Sequence, residues 1–256
     1  MPKTQTYELV IKAWGNAGQP DKAERLLFHL LERYEAKKAI QLQPTTELFA
    51  SSVQTWLQAA EPAEEGVPGQ VDAWKRAVQW LEYIVQQDNG SGPTSRHDLF
   101  LNVLKTARSC ADNRQDVLED ASRTFDKLQN SRHHVDQMAY ACLLEVGLRA
   151  LPGPEHDEAR SKFVTELVAK CRHDGLVSKR VVRVLTNGPL YRKGWTKHES
   201  DRLACALFPD WPLPPSWTRN LKRDEQLPSA KDLQRTIFEV GNLTNEFTTT
   251  GNQQLR

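Results

Sequence analysis

The chain lacks several features that would point directly to a function. Its net charge is only +1 over 256 residues, so it offers no overall attraction for nucleic acid or anionic membranes. It has no apolar run approaching the roughly 18 residues of a membrane-spanning helix. A glycine-rich phosphate loop, a nucleophile elbow and a Cys-x-x-Cys pair are also missing. We therefore predict no enzyme, no metal ligands, no cofactor, no small-molecule substrate and no membrane contact.

Cysteine is scarce and dispersed, at Cys110, Cys142, Cys171 and Cys205. No two are close enough in sequence to indicate a metal knuckle or a disulfide framework, so we expect small buried thiols in a reducing compartment. His156-Asp157-Glu158 has the His-x-Glu pattern of zinc deaminases, but the cysteine pair that would hold the metal is absent. We interpret these residues as the start of a helix, where acidic side chains are favourable.

What the sequence does contain is a pair of helical stripes in the segment TYELVIKAWGNAGQPDKAERLLFHLL, residues 6–31. Apolar residues recur at helical spacing before and after a break that contains Gly18 and Pro20. Gly18 suits the left-handed end of one helix, and Pro20 suits the first turn of the next. A single kinked helix would have to accommodate Gly15 as well, so we predict two helices.

The second-helix pattern then recurs three more times. DKAERLL, KRAVQWL, EDASRTF and DEARSKF each place an alanine before large apolar residues, and these alanines are Ala23, Ala77, Ala121 and Ala159. A small residue at a fixed point lets the paired helix approach closely. In the fourth copy the apolar positions depart slightly from this spacing, and Phe163 and Leu167 form the apolar stripe. First helices are predicted before each copy, at 7–14, 49–57, 100–107 and 140–148.

The C-terminal part is predicted to close the array. Ser178 can cap a short helix that runs to Leu185. The segment FPDWPLPPSWTRN (208–220) is predicted to be an extended strap whose Trp211 and Trp217 cover the end of the stack, the alternative being a plain linker. The fold prediction is an all-α, right-handed α-solenoid of stacked helix-turn-helix repeats. Its predicted parts are helix pairs over 4–185, a capping helix and strap over 186–223, and a C-terminal helix and polar tail over 224–256.

These residues resemble a pentatricopeptide repeat (PPR) array. The segment 139–178 and the later LPPSWTRN (213–220) are similar to the last repeat and ending of PPR proteins found in diatom-type algae. Tyr7, Phe49 and Tyr140 match the aromatic residue early in the first helix of that motif. Gly18 and Ala23 match its turn and its second-helix alanine, and further matches are Ala17, Leu26, Leu27, Leu30, Pro44 and Pro93. Tetratricopeptide repeats are the alternative, but the aromatic residue that should follow Trp14-Gly15 by one turn is missing.

The resemblance implies binding of single-stranded RNA in mitochondria or chloroplasts, for RNA processing, stability or translation, with one base addressed per repeat. The residues implied to read bases follow the aromatic or close each repeat. Glu8, Ala50 and Ala141 directly follow the aromatic residue, and Thr45, Thr94 and Asp136 are the last residues before the next repeat. The two alanines offer no hydrogen bond, which departs from the family pattern and weakens base-specific reading. The start, MPKTQTYEL, shows no transit peptide, so a cytosolic protein and a fragment of a longer chain are both open.

Charge is segregated in one segment despite the low total. Residues 178–223 carry a net charge of +7, which leaves −6 for the rest of the chain. We predict an RNA phosphate contact there, through Arg180, Arg183, Arg192 and Lys193, against the alternative of a solvated basic cap. At the level of function, the alternatives to RNA binding are a protein-binding scaffold and a degenerate fragment that has kept only its fold.

Overall fold

The fold is all-helical over the residues that the computed structural model describes, which are 3–37, 40–61, 69–86, 95–131, 134–187 and 214–222. Within these ranges there are nine α-helices and no strand. The helices are α1 (Thr4–Asn16), α2 (Pro20–Lys37), α3 (Thr46–Ala60), α4 (Gln70–Gln86), α5 (Ser95–Cys110), α6 (Gln115–Asn130), α7 (Gln137–Ala150), α8 (Asp157–His173) and α9 (Lys179–Asn187). The helices predicted for all four pairs are confirmed.

The break between α1 and α2 forms as predicted. Gly18 has a φ of +65°, the left-handed conformation that glycine adopts without strain. The amide of Gln19 donates to the Trp14 carbonyl at 2.9 Å and so satisfies one of the last carbonyls of α1. Pro20 is the first residue of α2, where its missing N–H costs no helical hydrogen bond.

The odd-numbered helices contact one another in chain order. α1 contacts α3, α3 contacts α5, α5 contacts α7, and α7 contacts α9. Each of α1, α3, α5 and α7 also contacts the even-numbered helix that follows it. Since α7 contacts the preceding helix α6 as well, it touches α5, α6, α8 and α9. Like α3 and α5, α7 contacts four other helices, and ten of its fourteen residues are buried.

Three of the four motif alanines occupy the predicted close contact. Ala23, Ala77 and Ala121 are at most 1% exposed. The prediction for Ala159 was wrong, because Ala159 is exposed and the next residue, Arg160, is 1% exposed. The buried stripe of α8 is therefore shifted by one residue relative to the repeated motif. The close approach at this pair comes instead from α7, where a Cβ on Gly147 would lie 2.1 Å from the Phe163 ring.

Buried polar contacts connect neighbouring helices. Trp74 on α4 is fully buried, and its indole Nε1 donates to the Val103 carbonyl on α5 at 2.9 Å. Glu24 on α2 accepts from Arg76 Nε at 2.7 Å and from Trp80 Nε1 at 2.5 Å, both on α4. These bonds satisfy polar groups that would otherwise be buried at a cost.

Residues 214–222 lie against the C-terminal end of α8. The Val177 amide donates to the Trp217 carbonyl at 3.0 Å, and the Asn220 amide donates to the Gly175 carbonyl at 3.1 Å. The Arg172 guanidinium lies 4.2 Å from the ring centre of Trp217, which is half-buried against the core. Trp217 ends a short 3-10 helix (Pro215–Trp217) and does not have the extended conformation predicted for the strap. Trp211, the predicted capping helix and the predicted helix and tail after residue 223 lie outside the described residues.

Candidate nucleic-acid interface

The residues that follow the early aromatics have unequal access to solvent. Glu8 on α1 is half-buried and its carboxylate accepts from Lys12 Nζ at 2.7 Å, one helical turn away. Ala50 on α3 is also half-buried. Ala141 on α7 is 3% exposed and belongs to the core. Of the three predicted base-reading positions on first helices, Glu8 alone combines a polar side chain with partial exposure.

Two of the residues predicted to end a repeat, Thr45 and Asp136, cap the helices that follow them. Thr45 Oγ1 accepts from the Leu48 amide at 3.2 Å at the start of α3. Asp136 Oδ1 accepts from the Ala139 amide at 2.8 Å at the start of α7. Each side chain thereby satisfies one of the free amides of a helix N-terminus. Thr94, the third predicted closing residue, lies outside the described residues.

A polar groove of about 410 Å³ lies between α3 and α5. Its lining residues are Gln54, Leu57, Gln58, Glu61, Asn102, Lys105 and Thr106. Gln54 and Gln58 are exposed and follow Ala50 by one and two helical turns, so they continue the predicted face of α3. The sequence reasoning missed them, although helical spacing counted from Ala50 would have found both.

The groove offers a cation as well as amides. Lys105 is half-buried on α5, and within the described ranges no carboxylate forms an ion pair with it. The neighbouring charges are mutually engaged, since Glu145 accepts from Arg108 at 3.0 Å and from Arg149 at 3.1 Å. A phosphate placed in the groove would therefore meet a lysine that forms no ion pair among the described residues, with the exposed carboxylate of Glu61 as the one acidic side chain in the lining.

The short helix α9 presents a basic surface. Its apolar residues Val181, Val182 and Leu185 are buried, whereas Lys179, Arg180 and Arg183 are exposed. Ser178 begins the helix as predicted, with its Oγ accepting from the Val181 amide at 3.3 Å. Arg192 and Lys193, the other two predicted phosphate contacts, lie outside the described residues.

A second cleft, of about 850 Å³, lies beside the start of α7 and the 214–222 segment. It includes Asp136, and Asp174 on its wall accepts from the Tyr140 hydroxyl at 2.6 Å. Burial, together with this bond, raises the pKa of Tyr140. Arg219 in the same wall donates to the His173 carbonyl. The charged groups of this cleft are thus used in internal contacts, which makes it a less suitable ligand site than the α3–α5 groove.

The part of the chain that the structure describes contains neither a metal-binding cluster nor a membrane-spanning helix. Among the described residues, no three His, Cys, Asp or Glu side chains are grouped so that they could hold a metal ion. No helix in the same part of the chain is long and apolar enough to span a bilayer. No protein-family model, curated protein or solved structure matches the chain. A functional proposal therefore depends on the residues and geometry of this chain.

Proposed function

We propose that the protein binds single-stranded RNA along its odd-numbered helices, as a right-handed solenoid of PPR-like repeats. Four successive helix pairs, with the first helix of each pair contacting the next first helix, support this arrangement. Repeats stacked in this way offer one continuous surface built from equivalent helices. An organellar role in RNA processing, stability or translation is part of the proposal and follows from the resemblance to PPR proteins.

The observation that carries the proposal is the α3–α5 groove. Its exposed amides, on Gln54 and Gln58, can donate to and accept from base edges, and Lys105 can contact a phosphate. The exposed basic residues of α9 provide a second phosphate contact farther along the chain. The two surfaces lie on helices linked through α7, which contacts both α5 and α9.

We further propose that base selectivity is weak. Thr45 and Asp136 use a side-chain oxygen to cap a helix, and Glu8 is paired with Lys12. Ala50 has no polar side-chain atom, and Ala141 is both apolar and buried. Binding would then depend on phosphate contact and on the shape of a single strand more than on direct reading of bases.

Fluorescence anisotropy with labelled, random-sequence single-stranded RNA at two salt concentrations tests the proposal, with duplex DNA as the comparison. We expect micromolar or tighter binding to RNA that weakens as salt rises, because bound phosphates release counterions. Lys105→Glu should weaken binding, because one phosphate contact is lost. The slope of log affinity against log salt concentration should then become shallower by roughly 0.7.

Lys162→Glu is the matched control, because Lys162 is an exposed lysine on the even-numbered helix α8 and undergoes the same charge change. Its affinity should equal that of the unmodified chain. Charge reversal of Arg180 and Arg183 together tests the α9 surface in the same assay. If neither the Lys105 variant nor the α9 variant weakens binding relative to Lys162→Glu, the proposed RNA surface is incorrect.

A protein-binding scaffold is the second candidate, and the engagement of Thr45 and Asp136 in caps favours it. In that case the exposed amides of the groove would bind a peptide or a neighbouring subunit, and RNA would not be retained even at low salt. The same anisotropy experiment separates the two candidates, since the scaffold predicts no RNA binding at either salt concentration.

A further inference from the structure

The outer face of α1 carries an exposed, uncharged stripe formed by Thr6, Leu9, Val10 and Ala13. Leu9 is 68% exposed and Val10 is 39% exposed, which makes them two of the three large apolar side chains exposed within the described ranges. The four positions lie within about one third of the helix circumference, since successive residues turn by about 100°. An apolar stripe of this width is what a packed helix presents to a neighbouring helix.

The corresponding stripes of the first helices α3 and α7 are buried. Counted from the early aromatic residue of each helix, Thr6, Leu9, Val10 and Ala13 correspond to Leu48, Ser51, Ser52 and Thr55 on α3 and to Ala139, Cys142, Leu143 and Val146 on α7. All eight of those residues are at most 3% exposed. The stripe that is buried in two internal units is therefore open in α1 and contains larger apolar side chains there than in α3.

The contact between α1 and α3 shows what covers such a stripe. A Cβ on Gly15 of α1 would lie 2.6 Å from Thr55 Oγ1, so the stripe of α3 faces the preceding first helix at very short range. On α3, therefore, the stripe is buried against the first helix of the preceding pair. The outer face of α1 continues this series of interfaces and has no such partner among the described residues.

We propose that a second copy of this chain covers the stripe, with α1 packed antiparallel against α1 of the partner about a two-fold axis. The stripe lies near the middle of α1, which runs from Thr4 to Asn16. An axis passing between Leu9 and Val10 places Leu9 opposite the partner's Val10 and Thr6 opposite the partner's Ala13. The large side chains then meet at the centre, and the small ones lie at both ends and allow close approach.

Charge favours this two-fold contact over a head-to-tail one. The last described helix, α9, exposes Lys179, Arg180 and Arg183, and packing it on the α1 stripe would remove cations from water without an opposite charge. In the two-fold arrangement the four facing positions are uncharged on both sides. On α1 itself Glu8 and Lys12 are paired with each other at 2.7 Å, and the exposed Lys3 at the N-cap of the helix would lie opposite the partner's uncharged Asn16 about the same axis.

Sedimentation equilibrium over a range of protein concentrations tests the proposal. The unmodified chain should form a dimer, and Leu9→Lys should raise the dimer Kd about tenfold or more, because a lysine would be desolvated at the centre of the contact. Thr165→Lys is the matched control, since Thr165 is exposed on α8 and also gains one positive charge. Circular dichroism should show the same helix content for all three proteins, because both sites are exposed.

Cross-linking locates the contact. Leu9→Cys should be linked to its partner copy by a short bismaleimide at micromolar protein, whereas Thr165→Cys should not exceed the background of the unmodified chain. A chain that stays monomeric at all concentrations would overturn the proposal, and the stripe would then be open to a different helical partner. Equal dimerisation by Leu9→Lys and Thr165→Lys, or equal cross-linking at both cysteines, would overturn it as well.

Discussion

The ring of Phe163 on α8 lies directly against the backbone of Gly147 on α7, and a Cβ on that glycine would lie 2.1 Å from ring atom Cε1. No real Cβ occupies such a position without a shift of its neighbour. Because Gly147 is buried within α7 and has an ordinary helical conformation, its role is to admit the ring and not to provide an unusual φ. The contact sets how closely the fourth helix pair can pack.

Gly147→Ala should therefore destabilise the protein by about 1–3 kcal/mol, because overpacking a filled site outweighs the helix propensity gained by alanine, which is worth roughly 1 kcal/mol. Urea denaturation followed by circular dichroism measures the free energy of unfolding. In the background of Phe163→Leu the same glycine substitution should cost less, which a double-mutant cycle reports as a coupling energy. Additive effects of the two substitutions would contradict this account.

Ala77→Leu should lower the free energy of unfolding by about 1–3 kcal/mol, since Ala77 is fully buried at the helix-pair contact of α4. Ala169→Leu on α8 is the control, because Ala169 is exposed and the added side chain would extend into water. Thermal melts of the two variants compare them directly. A control as unstable as Ala77→Leu would mean that the alanine position does not define the contact.

Arg160→Ala should be among the more damaging single substitutions in the chain. Arg160 Nη1 donates to the Leu151 carbonyl at 2.6 Å and to the Gly153 carbonyl at 3.1 Å, and Nη2 donates to Asp157. Its loss leaves polar groups of the α7–α8 connection without their partner, at about 1–3 kcal/mol for each buried one. Arg160→Lys should restore only part of the stability, because an ammonium lacks the planar fork of the guanidinium.

Hydrogen exchange of the Leu151–Asp157 connection would locate the effect of the Arg160 substitutions. We expect faster exchange there in both variants than in the unmodified chain. The Asp157→Asn variant serves as the comparison, since the Asp157 side chain is 57% exposed and its ion pair contributes little. Destabilisation by Asp157→Asn as large as that by Arg160→Ala would show that the ion pair, and not the carbonyl contacts, is responsible.

The buried cysteines should be unreactive in the folded protein. Burial raises the pKa of Cys142 to about 11 and that of Cys171 to about 12, and it also raises the pKa of Cys110. Since the thiolate is the reactive form, Ellman's reagent at pH 8 should label at most one cysteine per chain, namely Cys205, and all four after denaturation. Rapid labelling of two or more thiols in the native state would contradict the burial.

The same pKa changes predict an alkaline loss of stability. The folded pKa values of Cys142 and Cys171 lie above the ordinary thiol value of 9.0, so the unfolded chain loses these protons first as pH rises. The free energy of unfolding should be insensitive to these groups below pH 9 and should fall between pH 9 and about 11–12. Cys171→Ala should flatten that part of the profile, which denaturation at several pH values would show.

The helical content was predictable because the information is local. The apolar spacing, the break at Gly18 and Pro20, and the cap at Ser178 each act within a few residues, and all three predictions are confirmed. The α8 register was not predictable in the same way. The repeated motif assigns Ala159 to the buried position, but Arg160 is buried in its place, since carbonyls of the preceding connection accept from its guanidinium.

The candidate site was predictable only in part, for a reason that lies in the contacts between helices. Glu8 and Ala141 hold the same place in their helices, yet Glu8 is half-buried on α1, which contacts α2 and α3, and Ala141 is 3% exposed on α7, which contacts α5, α6, α8 and α9. The α3–α5 groove likewise depends on which residues of two separate helices lie side by side. A repeat motif read along one chain segment carries no such information.

The two capping residues place a double constraint on the boundaries between units. Ser, Thr, Asn and Asp are the side chains that most often accept from the free amides at a helix N-terminus, and their polar groups also suit a base edge. A substitution at Thr45 or Asp136 that removes the side-chain oxygen therefore weakens helix initiation as well as the ligand contact proposed there. Asp136→Asn keeps the capping acceptor and removes the charge, so a change in RNA affinity between the unmodified chain and this variant reports the charge, whereas the further change in Asp136→Ala reports the lost acceptor.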